Sequence, residues 1–296
     1  MLLKIILILS VLFTPSLGWC AQPKPALKVV ATFSILADWV QQVGGRYVQV
    51  QSLVGPNQDT HTFEPTPQDN QALVQAELIV ENGFNFENWL NDLYQASGSK
   101  APRSVASDGI ISRTLNLGKD ADPHFWHDAR RAIIAVGNIQ KALSQADPAH
   151  ARVYQARARS YIHKLEALDR WVLATIDELP VTHRQLVTVH NTLGYFAERY
   201  ECVMVGSVLM SATTEAADPS AKEIANLVLQ MKYGKVKAVL TEQGGQTKLA
   251  ESLATETGTR LSKPLYTDAL GVVGSGADTY IRMMHHNVAI IVNTLK

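Results

Sequence analysis

Cysteine is almost missing from this sequence: its 296 residues carry two, Cys20 and Cys202. Cys20 falls in or beside an apolar leader, so the mature chain keeps one thiol and forms no internal disulfide. Cys202, in the run ECVMVGSVL, reads as a small buried apolar residue. Net charge is missing too. The 27 Lys and Arg residues balance 27 Asp and Glu, so neither nucleic acid nor an anionic membrane surface is indicated as a partner. Short-period repeats and low-complexity segments are absent. No apolar run is long enough to serve as a membrane-spanning anchor. There is also no His-Glu-x-x-His run, the helical signature of many zinc hydrolases.

What is present begins with the leader. Lys4 precedes the apolar run Ile5 to Phe13, and the small or polar residues Ser16 and Gly18 follow. Residues 1–21 therefore read as a cleaved Sec signal peptide, and the mature protein is expected in the periplasm. Leu17-Gly18-Trp19-Cys20 has the outline of a lipoprotein box, but tryptophan fits poorly before the cysteine. Anchoring at Cys20 is the disfavoured alternative. The whole sequence is 46% hydrophobic, enough for two cores of ordinary size.

Residues 147–180 read as one long helix. Asp147 suits the N-cap and Pro148 the first helical position. Val153, Tyr161, Leu165, Leu168, Val172, Ile176 and Leu179 form a helical stripe, and Pro180 ends it. About thirty residues at ~1.5 Å each give a rod of roughly 45–50 Å. On both sides strands and helices alternate. Before it, strands are expected near 28–34, 47–54, 78–82 and 104–107; after it, near 186–190, 202–209, 236–241 and 265–266. Helices fill the gaps, among them one capped by Asp128. The fold class is thus α/β: two lobes with mainly parallel sheets and flanking helices, residues 22–146 and 181–296, joined by one long rigid helix.

Ligands of such sheets sit beyond the carboxyl ends of the strands. Four residues there stand out: His61 in Asp59-Thr60-His61-Thr62-Phe63-Glu64-Pro65, His124 in Asp122-Pro123-His124, His190 at the end of Val187-Thr188-Val189, and Asp268 after Leu265-Tyr266-Thr267. Two precede the long helix and two follow it, so all four could face one cleft. Three imidazoles and a carboxylate suit a divalent transition metal, and four protein ligands leave no open position for a reactive water. Such a set argues for holding a metal rather than for catalysis.

These residues also carry a resemblance. With Asn82-Gly83, Trp89-Leu90, Gly194-Tyr195-Phe196, Pro219-Ser220, Glu242 and Leu270-Gly271, they resemble the metal-specific substrate-binding proteins of bacterial ABC importers, the family of ZnuA-like and TroA-like proteins. The resemblance covers nearly the whole mature chain. It implies a metal held between two lobes by His61, His124, His190 and Asp268, and delivery to an ABC permease in the inner membrane. It also implies a chain that is not an enzyme. His190, where manganese-selective members often place glutamate, favours Zn(II) as the transported ligand and leaves Mn(II) or Fe(II) open. The histidine-rich acidic loop of many zinc-specific members is absent. His127 stands where an apolar residue is more usual, within reach of the metal by helical spacing. Glu64, Asn191 and Glu242 are candidates to orient the ligands. A periplasmic zinc metallochaperone is the alternative function, and a zinc hydrolase using Glu64 or Glu242 as base is a weaker one. A monomer is expected, with limited lobe motion because a long helix does not hinge.

Overall fold

The computed structural model of the chain describes residues 25–115, 120–209, 219–245 and 247–296. The leader, with Cys20, and Asp218 lie outside them. The first half runs β1 (Leu27–Phe33), α1 (Ser34–Gly44), β2 (Val48–Val54), α2 (Pro67–Gln75), β3 (Leu78–Glu81), α3 (Leu90–Ser97) and β4 (Arg103–Val105). Its strands form one parallel sheet in the order β2-β1-β3-β4. β1 is buried at every position but Lys28, as a central parallel strand covered on both faces must be.

A hairpin, β5 (Thr114–Leu115) with β6 (Asp120–Ala121), leads into α4 (Ala129–Ala146). Asp128 caps α4, its carboxylate accepting the Arg130 N–H, as the sequence suggests. The long helix follows as α5 (Ala151–Asp177). It is shorter than the 147–180 reading. Pro148–His150 form a separate 3-10 turn, and α5 is roughly 40 Å long at ~1.5 Å per residue. The difference originates at Asp147. Its carboxylate accepts from His150 Nδ1 and the Tyr154 hydroxyl instead of capping backbone N–H groups.

The second half runs β7 (Gln185–Thr188), α6 (Gly194–Arg199), β8 (Val203–Ser207), α7 (Ala221–Gly234), β9 (Ala238–Val239), α8 (Thr247–Thr257), β10 (Arg260–Leu261) and α9 (Tyr280–Leu295). β7 pairs in parallel with β8, a bridge from Thr188 to Leu240 joins it to the β9 segment, and β9 pairs with β10. The order is again second strand, first, third, fourth. The hairpin and β10 escaped the sequence reading because two-residue strands carry no usable periodicity. The expected strand at 265–266 is present only as a bridge between Leu265 and Glu242.

Packing joins the halves. One cluster takes in Trp39 of α1, Ile139 of α4, Leu165, Leu168 and Val172 of α5, Phe196 of α6 and Met283 and Val288 of α9. Smaller cores lie against each sheet, around Leu73 and Ile79 in the first half and around Leu227 and Val239 in the second. Asp38 of α1 accepts from the Tyr280 N–H at the start of α9 and from the Tyr161 hydroxyl of α5. Residues from both sides of α5 therefore share its core. Leu165 is wholly buried in it, so Leu165→Ala is expected to cost about 2–5 kcal/mol by leaving a cavity. Thermal unfolding should move to lower temperature as one transition. Two separated transitions in calorimetry would show that the halves do not melt together.

Candidate metal centre

The four nominated residues meet. His61, His124, His190 and Asp268 are all buried, and one ligand atom from each lies within 4.8 Å of all the others. Each sits on a loop beyond a strand or before a helix, and each loop is held by its own hydrogen bonds. His61 follows β2, its backbone N–H bound by Asp59 Oδ1 at 2.8 Å. His124 precedes α4 in the same kind of turn, with Asp122 Oδ1 accepting its N–H at 3.0 Å and its ring Nδ1 at 2.9 Å. His190 ends β7. Glu242 Oε1 accepts the N–H groups of Val189 and His190, and Glu242 Oε2 faces His190 Nδ1 at 2.5 Å. Asp268 is placed by its neighbour: Trp126 Nε1, from the first half, donates to Thr267 O at 2.7 Å.

The tautomers follow. A carboxylate at Nδ1 keeps the proton of a neutral imidazole there and leaves the Nε2 lone pair free. That holds for His124 and His190. The Nε2 atoms of His61, His124 and His190 are all buried without a hydrogen-bond partner. They stand 3.6, 3.8 and 3.1 Å from the nearer oxygens of Asp268. A tetrahedral zinc with ligands at ~2.0–2.2 Å separates its ligand atoms by roughly 3.3–3.6 Å. The three distances to Asp268 bracket that spacing. Phe86 packs edge-on to His61 and His124, and Trp126 to His124, forming a dry wall behind the pit.

Burial alone would drive the His190 pKa down, but the Glu242 and Asp268 carboxylates outweigh it and hold the value well above normal. Burial likewise pushes Asp268 up, and the His190 charge and hydrogen bonding reverse this to well below the usual carboxylate range. His190, Glu242 and Asp268 thus form one electrostatically coupled set.

His127 is not among the convergent ligand atoms. It is buried, its Nε2 lies 3.3 Å from Thr192 Oγ1, and that hydroxyl lies 3.5 Å from Asp268 Oδ1. Burial, with His124 adding to it, lowers the His127 pKa to about 3, so the ring stays neutral. Glu64 is exposed and orients nothing at the pit. Glu242 does orient, whereas Asn191 is half-buried with no such contact to the pit given by the structure. Asp122 is the residue the sequence reading passed over. Its signal was the Asp-x-His spacing, which occurs at both 59–61 and 122–124. His285 packs on Trp171 and His286 near Tyr266, away from the cluster.

A family profile described as zinc-uptake complex component A, periplasmic, matches residues 29–294. The chain belongs to this family. Its members include the metal-specific substrate-binding proteins of ABC importers, which are solute receptors and not enzymes. Among curated relatives, the manganese-binding lipoprotein MntA of Bacillus subtilis is 31% identical over 91% of this chain and 90% of its own length. The iron-binding protein YfeA of Yersinia pestis is 30% identical over 89% of this chain and 85% of its own. The solved periplasmic zinc-binding protein TroA of Treponema pallidum superposes with a TM-score of 0.84 at 26% identity, over 91% of this chain and 99% of that one. The expected α/β class and family stand on these matches.

The charge pair sets a pH dependence. A raised His190 pKa adds stability that is whole below the unfolded value of ~6.5 and is lost as pH rises through the folded value. The depressed Asp268 adds stability that is present above ~3.9 and is lost as pH falls through its folded value. The metal-free protein should therefore lose melting temperature as pH climbs above neutrality, and Glu242→Gln should flatten that slope. An unchanged slope in the variant would show that His190 is not the titrating group.

Proposed function

We propose that the mature chain captures one divalent transition metal, Zn(II) first, through His61, His124, His190 and Asp268, and delivers it to an ABC permease. The observation that supports this most directly is the convergence of three buried, unpartnered imidazole nitrogens on one carboxylate. Imidazole-rich four-ligand sets suit zinc better than manganese. A manganese or iron receptor is the second reading. It is favoured by the names of the relatives in Bacillus subtilis and Yersinia pestis, and by the two Asp268 oxygens, which could serve an ion of higher coordination number. The repeated 2-1-3-4 sheet order supports residues 22–146 and 181–296 as two lobes, with 147–180 joining them. Residues 1–21 act as a Sec signal, the mature form works as a periplasmic monomer, and anchoring at Cys20 is the alternative. A metallochaperone would use the same site; finding a permease and an ATPase gene next to this one would favour import over it.

Equal exposure of purified apo protein to zinc, manganese and iron, followed by metal analysis, tests the assignment. One tightly held zinc is expected, with affinity at least tenfold lower in His190→Ala. A manganese preference would keep the receptor and change its cargo. No stoichiometric binding of any of the three would remove the site.

Protons compete for the same lone pairs, so affinity should fall as pH drops through the ligand pKa values. Because His190 is raised, binding near pH 7 should release about one proton. Calorimetry in buffers of different ionisation enthalpy measures this. Zero release would mean that the protonated His190 is not displaced.

A further inference from the structure

A cavity of about 300 Å³ opens beside the metal centre, lined by Asn57, Gln58 and Thr62 from the first half and by Gln243, Ala269 and Asp268 from the second. Of the four convergent residues, only Asp268 lines it. His124 and His190 are fully buried and His61 is 5% exposed, whereas Asp268 keeps 8%. The other sides are closed. Phe86 and Trp126 wall off His61 and His124, and Glu242 stands behind His190. Asp59 and Glu242 also line the cavity; Asp59 Oδ1 accepts the His61 N–H, and the Glu242 carboxylate is committed as well. It accepts two backbone N–H groups, faces His190 Nδ1 and accepts the Thr267 hydroxyl.

Resting on the metal-binding reading above, we infer that this cavity is an antechamber for the hydrated cation, and that Asp268 is its first protein ligand on entry and its last on exit. Size fits the role. At ~30 Å³ of liquid per water molecule, 300 Å³ takes a cation that still carries its waters. The pit beyond, with ligand atoms within 4.8 Å of one another, takes only a bare ion. Chemistry fits as well. The side-chain amides of Asn57 and Gln243 and the Thr62 hydroxyl, beside the Asp59 carboxylate, offer oxygens to the waters of the ion. The Asp268 carboxylate then replaces the first water, and the three imidazoles replace others as the ion moves inward. Release runs the same exchanges backwards.

A passage has a kinetic signature that a binding site lacks. Narrowing it slows entry and exit by one common factor and leaves the equilibrium unchanged, because it raises the barrier without touching either end state. Thr62→Trp and Gln243→Trp narrow the cavity from opposite walls, and Val74→Trp, on the exposed face of α2, is the control. Circular dichroism and melting temperature first select variants that fold. Stopped-flow mixing with zinc gives association rates, capture by excess chelator gives dissociation rates, and competition titration gives the equilibrium constant. At least one plug variant is expected to slow both rates tenfold or more, by equal factors, with affinity within twofold of the unsubstituted protein and the control unaffected. Rates equal to the control in both plugs would mean that the ion travels elsewhere and would overturn the inference. A changed affinity with unequal rate effects would also overturn it, since the cavity would then be part of the bound state. Absence of zinc binding in the unsubstituted protein is a separate result, and it would strike the metal-binding reading itself.

Discussion

A carboxylate buried among three imidazoles is the constraint that the centre has to answer. An unpaired buried charge costs several kcal/mol, so Asp268 needs a cation beside it. Against burial, which lowers it, Glu242 and Asp268 raise the His190 pKa, and His190 in turn lowers that of Asp268. One imidazolium offsets one of the two carboxylates that face it; a divalent ion offsets both. The pit is therefore organised around a charge that a proton satisfies only in part. The Nε2 atoms of His61, His124 and His190 all face Asp268.

The fold delivers these atoms by repeating one arrangement twice. Each half orders its strands second, first, third, fourth, and loops beyond the strand ends carry His61 in one half and His190 and Asp268 in the other. What makes the repeats into one centre is the packing between them. Trp126 donates to Thr267, the Leu270 N–H to Ser34, and Tyr195 to the Asp122 carbonyl, each bond crossing from one half to the other. Gly194 permits the last contact, because a Cβ there would meet Arg113 and Asp122 at 2.8 and 3.0 Å. With α5 and α9 sharing a core with α1, a wide opening of the halves would expose much apolar surface. Local loosening of the Asp268 loop, the least buried part of the centre, breaks far less.

Much of this was legible in the sequence, for identifiable reasons. Buried parallel strands read as β-branched runs, and α5 as an apolar stripe, because burial imposes both patterns. His61, His124, His190 and Asp268 stood out because loops after parallel strands are where such sheets bind ligands. Less legible was anything decided by one side chain choosing between partners. Asp147 looked like a cap and instead bonds His150 and Tyr154. His127 looked like a spare ligand, and it turns to Thr192. Asp122 looked like part of a motif, and it fixes the tautomer of His124. Spacing places such residues near the right neighbours without saying which hydrogen bond wins. The shared core was hidden for another reason: α9 returns to pack on α1 and α5 across more than a hundred residues.

On the proposed reading, metal choice turns on how tightly the pit closes as well as on which residues line it. Asp268 straddles the cluster, with Oδ2 toward His190 and His61 and Oδ1 toward His124. If the pit contracts around a small ion, one oxygen completes a tetrahedron and zinc is preferred. If it stays at its present width, both oxygens reach the ion, the coordination number rises, and manganese or iron gains. Contraction depends on the layer behind the ligands. Glu242 and Asp122 hold two rings by short hydrogen bonds, and Phe86 and Trp126 back them with rigid aromatic surface. Asp268 Oδ1 lies 3.8 Å from His124 Nε2 and has a long contact to Thr192, behind which stands the neutral His127. The departure at position 127, which helical spacing could bring near the metal, reaches Asp268 instead through Thr192.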